Sequence, residues 1–257
     1  MRRVEKPIPP VEVTRSEAPC KEVILRGEEA SFTKLPIPIW HPGDGGPYIT
    51  LGIQVCRDPV SGASNLAILR QMIVGPREAS LNALPGKRTY IFYKEREKRG
   101  EPLEVAVVIG VEPAIQIAAC HSATSLDEDE YAVAGALKGE PIEVVKCETI
   151  DVMVPARAEV IIEGIVPPHE RVNNGKFGEF TGYMSGVRQA LKFVISVSHT
   201  GVTPSSKLLM RVCLLLRITS SNQYPTLLLF RRLRAVSAPV YLESGYPSRR
   251  DYAVGCS

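Results

Sequence analysis

Residues 48–74, YITLGIQVCRDPVSGASNLAILRQMIV, decide the fold class. YITLGIQVC (48–56) and LAILRQMIV (66–74) are apolar runs of strand length, rich in isoleucine and valine. Between them DPVSGASN (58–65) gathers Asp, Pro, Gly and Asn, residues that turn a chain through preset or left-handed backbone angles. Strand, turn and strand together predict a β-hairpin.

Outward from this hairpin, α and β patterns mix. Glu104–Gly110 (EVAVVIG) is a continuous apolar run and reads as a strand, while Glu112–Cys120 is rich in Ala and Ile with proline in its first turn and reads as a helix. Arg88–Arg99 carries apolar residues early and KEREKR late, a helix with a solvated charged face. Ser125-Leu126-Asp127-Glu128 forms a capping box before a helix that places Glu130, Ala134 and Leu137 on one stripe and stops at Gly139. Further strands are expected at Ile142–Val145 and Glu159–Glu163, and a short edge strand at Val23, Ile24 and Leu25. The strands are too irregularly spaced for a doubly wound sheet, so the class is α+β. Residues 1–47 read as a lead-in segment and 48–189 as one domain. From about Gln189 no clear period is found, which makes 190–257 an atypical, poorly ordered tail.

Composition excludes several function classes. The chain has 257 residues, 44% hydrophobic and 23% charged, and no apolar run approaches the roughly 20 residues of a membrane span. Its start, MRRVEKPIPP, has no apolar core of a secretory signal. Six scattered cysteines without a CxxC pair read as thiols in a reducing cytoplasm. A net charge of +3 without a basic stripe argues against nucleic acid, whereas a small anionic ligand is compatible.

Taken singly, the polar residues have plain readings. LPIPIWHPGDGGPYITLG (35–52) could be a turn, Asn65 a turn residue, Arg70 a surface arginine, Glu130 a first-turn acid and Glu179 a loop carboxylate. Their order is more specific. LPIPIWHPGDGGPYIT (35–50), GASNLAILRQMIVGP (62–76), EVAVVIGVEPAIQIAA (104–119), the long block from Asp129 to Gly164 and GKFGEFTGYMSG (175–186) together resemble the UbiD family over about residues 7–189.

That resemblance implies a split β-barrel of the flavin-reductase type with flanking helices, binding prenylated FMN with Mn2+ or another divalent metal and K+ at the cofactor phosphate. It implies decarboxylation of an aromatic or α,β-unsaturated carboxylic acid, with a flavin prenyltransferase as cofactor source and a homo-oligomeric assembly. Asn65 and Glu130 match metal-ligand positions, and Asn82 stands where many members have histidine. An amide keeps an oxygen donor but is a poorer transition-metal ligand than imidazole. Ile68, Leu69 and Arg70 match the cofactor-contacting tripeptide, with Lys87 within reach of the phosphate. Arg70 and Glu179 match the substrate-carboxylate and proton-donor positions. The family's EGPFGE reads NGKFGE here, putting the amide of Asn174 in place of the first acid of the network.

The resemblance also implies missing flanking domains and a frameshift just after Lys192, since displaced codons for Val194–Thr219 can spell a family-like continuation. The alternatives are a flavin-binding split-barrel module without lyase chemistry and an inactive gene fragment. Arg70 and Glu179, which a plain flavin binder does not need, favour the lyase.

Overall fold

The computed structural model describes residues 6–120, 128–179 and 181–201. Its strands are β1 (Val11–Glu12), β2 (Val23–Arg26), β3 (Tyr48–Ile49), β4 (Ile53–Arg57), β5 (Ser64–Ile68), β6 (Gln71–Met72) and β7 (Glu78–Leu81), followed by β8 (Leu103–Ile109), β9 (Glu143–Lys146), β10 (Met153–Pro155), β11 (Val160–Val166), β12 (Arg171–Asn174) and β13 (Arg188–Thr200). Helices are α1 (Arg88–Lys98), α2 (Pro113–Ala119) and α3 (Glu130–Lys138). The fold is α+β and dominated by sheet.

The hairpin of residues 48–74 forms in two pieces. β4 and β5 pair antiparallel from Ile53↔Ile68 to Arg57↔Ser64, whereas β3 and β6 pair separately through Tyr48↔Met72 and Ile49↔Gln71. Between the pieces the Gln54 side chain takes over the ladder's role. Its amide accepts from the Leu69 N–H at 2.6 Å and donates to the Leu69 carbonyl at 2.9 Å. Arg70 therefore sits at the break, freed from a continuous strand.

The main sheet runs β12-β13-β11-β8-β4-β5, with β2 and β7 also pairing β13. Both faces are covered, which explains the unbroken apolar run of β8. Ala106 and Val108 enter one core with Ile53, Val55, Ile161 and residues of α2 and α3, while Val105 and Val107 enter a second with Phe92, Ile162 and Phe193. Helix α3 ends as its sequence dictates, at Gly139 in the left-handed conformation (φ 93°). Its N-cap is Asp129, whose carboxylate accepts from the Tyr131 N–H; Ser125–Asp127 of the expected capping box lie outside the described residues.

Two boundaries differ from the sequence expectation. The lead-in belongs to the core: Ala18 and Cys20 pack in the first cluster, Ala30 and Phe32 in the second, and β2 pairs with β13. The loss of pattern expected from about Gln189 is also not found up to Thr200. β13 buries Leu191, Phe193, Ile195 and Val197 at alternate positions, and pairs with β11, β12, β7 and β2 along its length. That alternation is the period-2 signature of a strand with one face on a core. Residues 202–257 of the expected tail lie outside the described residues.

Candidate functional site

Two glycine-rich segments meet beside the break at Arg70. Tyr48 donates its hydroxyl to the Gly175 and Lys176 carbonyls at 2.9 and 3.1 Å. Asp44, fully buried at its side chain, accepts from the N–H groups of Trp40 (3.1 Å), His41 (2.9 Å) and Gly178 (2.9 Å). This carboxylate ties 40–44 to the loop that carries Glu179. The backbones approach so closely that a Cβ on Gly45 would stand 2.8 Å from the Gly175 Cα. Only glycine admits such contact.

Across this junction Arg70 Nη1 meets Glu179 Oε1 at 2.8 Å, and the guanidinium lies 4.5 Å from the Phe177 ring centroid. The arginine is 15% exposed at its side chain and the glutamate 34%, so the pair borders solvent. Arg70 Nε, Asn174 Nδ2 and Gln71 Nε2 are buried donors without a hydrogen-bond partner, and Gln71 Oε1 is a buried acceptor without one. Buried donors left unmatched cost free energy, so a bound group bearing acceptors is what this region lacks. A flavin with its carbonyls and ring nitrogens fits that donor set. Asn174 itself is fully buried, and its amide oxygen accepts from Ser80 Oγ at 2.9 Å. Among the described residues no hydrogen bond joins it to Arg70.

Asn65 and Glu130 come together on the other side of β5. Ser64 and Leu66 face away from β4 at this sheet edge, and their N–H groups are accepted by Asp129 (3.3 Å) and Glu130 (3.2 Å). The second Glu130 oxygen accepts from Arg88 Nη1, and Arg88 Nη2 donates to the Glu128 carbonyl at 2.8 Å. Burial raises the Glu130 carboxyl, against the lowering effect of Arg88. Asn65 donates to Thr89 Oγ1 at 3.0 Å and to Cys56 Sγ at 3.5 Å, and burial pushes the Cys56 thiol up to about 12.

Asn82 does not join them. Its N–H donates to the Arg70 carbonyl at 3.3 Å. The Glu130 carboxylate already has a cation, the Arg88 guanidinium. A divalent ion does not fit these residues as they stand. Lys87 is exposed at the N-cap of α1, while Ile68 and Leu69 are half-buried where β5 ends.

Arg88 and Asp44 were not singled out by sequence. Arg88 reads as a helix-start arginine, and Asp44 as the Asp of a Pro-Gly turn; their partners Glu130 and Gly178 lie 42 and 134 positions away.

Residues 11–201 match the UbiD family, described as the 3-octaprenyl-4-hydroxybenzoate carboxy-lyase Rift-related domain. Among solved structures, the UbiD-class enzyme HmfF from Pelotomaculum thermopropionicum in complex with FMN is 41% identical, with a TM-score of 0.74 over 78% of this chain and 44% of that one. Apo 3,4-dihydroxybenzoic acid decarboxylase (AroY) from Klebsiella pneumoniae is 33% identical, with a TM-score of 0.72 over 77% and 44%. Vanillic acid decarboxylase from Sedimentibacter hydroxybenzoicus in its closed form is 31% identical, with a TM-score of 0.74 over 78% and 44%. This chain thus spans less than half the length of each of these enzymes. On the family match and these likenesses, the chain belongs to the UbiD family.

Proposed function

We propose that this chain is the cofactor-binding part of a carboxy-lyase that removes CO2 from an aromatic or α,β-unsaturated carboxylic acid with prenylated FMN, on a split β-barrel frame. The observation that carries the reading is the Arg70–Glu179 pair at 2.8 Å beside Phe177 and the unmatched donors of Arg70 and Asn174. HmfF has been seen with prenylated FMN, which supports the cofactor assignment. Ile68 and Leu69 lie at the strand end where the flavin is expected, and Lys87 at the N-terminus of α1 where a phosphate is favoured.

Prenylated FMN, when bound, supplies the electron sink that lets CO2 leave. Arg70 holds the substrate carboxylate by paired hydrogen bonds. A carboxylate that takes Arg70 releases Glu179 from its ion pair, leaving Glu179 to carry a proton and deliver it to the carbon that lost CO2. Phe177 and Tyr48 confine the guanidinium from its flat face. Manganese and potassium enter no step, because Glu130 is already engaged by Arg88 and Leu66. A flavin prenyltransferase supplies the cofactor, and the protein assembles as a homo-oligomer.

The test loads the chain with prenylated FMN and measures flavin retention and CO2 release over a panel of phenolic, heteroaromatic and cinnamic acids. Glu179→Gln is expected to keep the flavin and lose about 100-fold to 10,000-fold in CO2 release. Flavin retention with no CO2 from any acid would instead leave a flavin-binding module.

A further inference from the structure

The Asn65–Glu130 cradle already contains a positive charge. Glu130 is 2% exposed, and each of its oxygens is engaged, one by the Leu66 N–H at 3.2 Å and one by Arg88 Nη1. Arg88 is held in turn by the Glu128 carbonyl at 2.8 Å and lies 5.7 Å from the Phe92 ring centroid. Its place follows from the fold: α1 starts at Arg88, and Thr89, the next residue, is pinned to Asn65 at 3.0 Å. The helix start is thus fixed against β5, and the Arg88 side chain reaches the carboxylate at the start of α3.

A divalent ion here would need hard oxygen donors. With its amide nitrogen donating to Thr89 and Cys56, Asn65 has only its amide oxygen to offer, and the Asn82 backbone N–H is held at the Arg70 carbonyl. An ion would also have to share Glu130 with a guanidinium that cannot lose its charge, since arginine stays protonated in proteins.

We propose that Arg88 takes the place of the divalent cation in this chain: its guanidinium neutralises Glu130, excludes manganese from the cradle, and gives the cofactor-binding strand a built-in positive charge. The proposal rests on reading Asn65 and Glu130 as the family's cation position. Retention of an anionic ligand such as FMN is then indifferent to divalent ions.

The experiment titrates MnCl2 into the 257-residue chain and follows the electron paramagnetic resonance of free aqueous Mn2+. The free-ion signal is expected to equal that of buffer alone, and flavin fluorescence titrations with FMN are expected to give the same Kd with and without a chelator. In Arg88→Ala and Arg88→His, checked for native circular dichroism, Glu130 is uncovered and Mn2+ affinity is expected to rise at least about tenfold, a gain of about 1.4 kcal/mol. Stoichiometric uptake by the unaltered chain that disappears in Glu130→Gln would overturn the proposal, and this arm decides the matter even if the Arg88 variants do not fold. Folded Arg88 variants that take up no Mn2+ would overturn it as well. Failure of FMN to bind, with Mn2+ still excluded by the chain and admitted by the variants, would sink the flavin reading and leave the assignment of Arg88 standing.

Discussion

Asp44 carries more of the site than its place in a PGDGG turn discloses. Its buried carboxylate accepts three backbone N–H groups from two segments, and one of these, Gly178, is the residue before Glu179. Removing it strands donors that cost roughly 1–3 kcal/mol each when left unmatched. Asp44→Ala is therefore expected to destabilise the chain by about 3 kcal/mol, read as a lower urea midpoint. Asp44→Asn, which keeps one acceptor oxygen, should fall between the two. An unchanged midpoint in Asp44→Ala would mean that the two glycine-rich segments are held by other contacts. Arg70 and Glu179 could be named from sequence because their local motifs are distinctive, and they do meet. Asn65 and Glu130 also both meet the start of α1, Asn65 at Thr89 and Glu130 at Arg88, contacts that no local pattern encodes.

Among the elements, β13 departs furthest from its reading. Leu191, Phe193, Ile195 and Val197 alternate cleanly, and Gly201, Pro204, Ser205 and Ser206 follow, but the apolar residues resume at Leu208 and blur the pattern. What makes it a core strand is its set of partners. β11 pairs with it through a bulge between Glu163 and Gly164, and there a Cβ on Gly164 would stand 2.2 Å from the Val194 carbonyl and 2.6 Å from the Phe193 ring. Gly164→Ala should consequently destabilise the fold, because backbone and a buried ring cannot both give way. Phe193→Ala, which empties a fully buried site, should cost about 3–5 kcal/mol. Thermal unfolding of both variants checks this, and limited digestion with a protease that cuts after lysine should spare Lys192. Prompt cleavage there would restore the early boundary of the tail. The halved hairpin of residues 48–74 has the same lesson. Its turn and strands were legible from local chemistry, whereas the break at Leu69 and Arg70 needs the side chain of Gln54 from the opposite strand.

At the scale of the molecule, a buried polar cluster joins the lead-in, β11 and β13. Each ring nitrogen of His199 faces an acceptor, Nδ1 the Cys20 carbonyl at 3.0 Å and Nε2 the Glu163 carboxylate at 2.7 Å. Glu163 also accepts from the Glu148 and Thr149 N–H groups at 2.6 and 2.7 Å. Burial pushes its carboxyl up, but the hydrogen bonds from His199, Glu148 and Thr149 outweigh that and hold it down at about 2, against an ordinary 4.5. A carboxyl depressed in the folded state contributes stability that is full above pH 4.5 and is lost as pH falls toward 2. The contribution is on the order of 3 kcal/mol. Glu163→Gln should flatten the fall in stability over this acid window, measured by urea unfolding at a series of pH values. An unaltered acid profile would place the acid-sensitive group elsewhere.

Local chemistry in the sequence determined the turn at 58–63, the strand of β8, the extent of α1 and α2 and the glycine stop of α3, because each rests on neighbours within a few residues. The ordered family blocks likewise determined Arg70 and Glu179 as a pair worth testing. Tertiary structure alone decided that the lead-in and β13 are core, that Asp44 clamps the Glu179 loop, and that Glu130 meets a guanidinium. These depend on which groups remain unsatisfied when distant segments meet: a sheet edge at Leu66, a carboxylate without a cation, a pair of backbones with room only for glycine. A buried charge takes the nearest partner that the assembled fold presents, and sequence spacing does not record that distance.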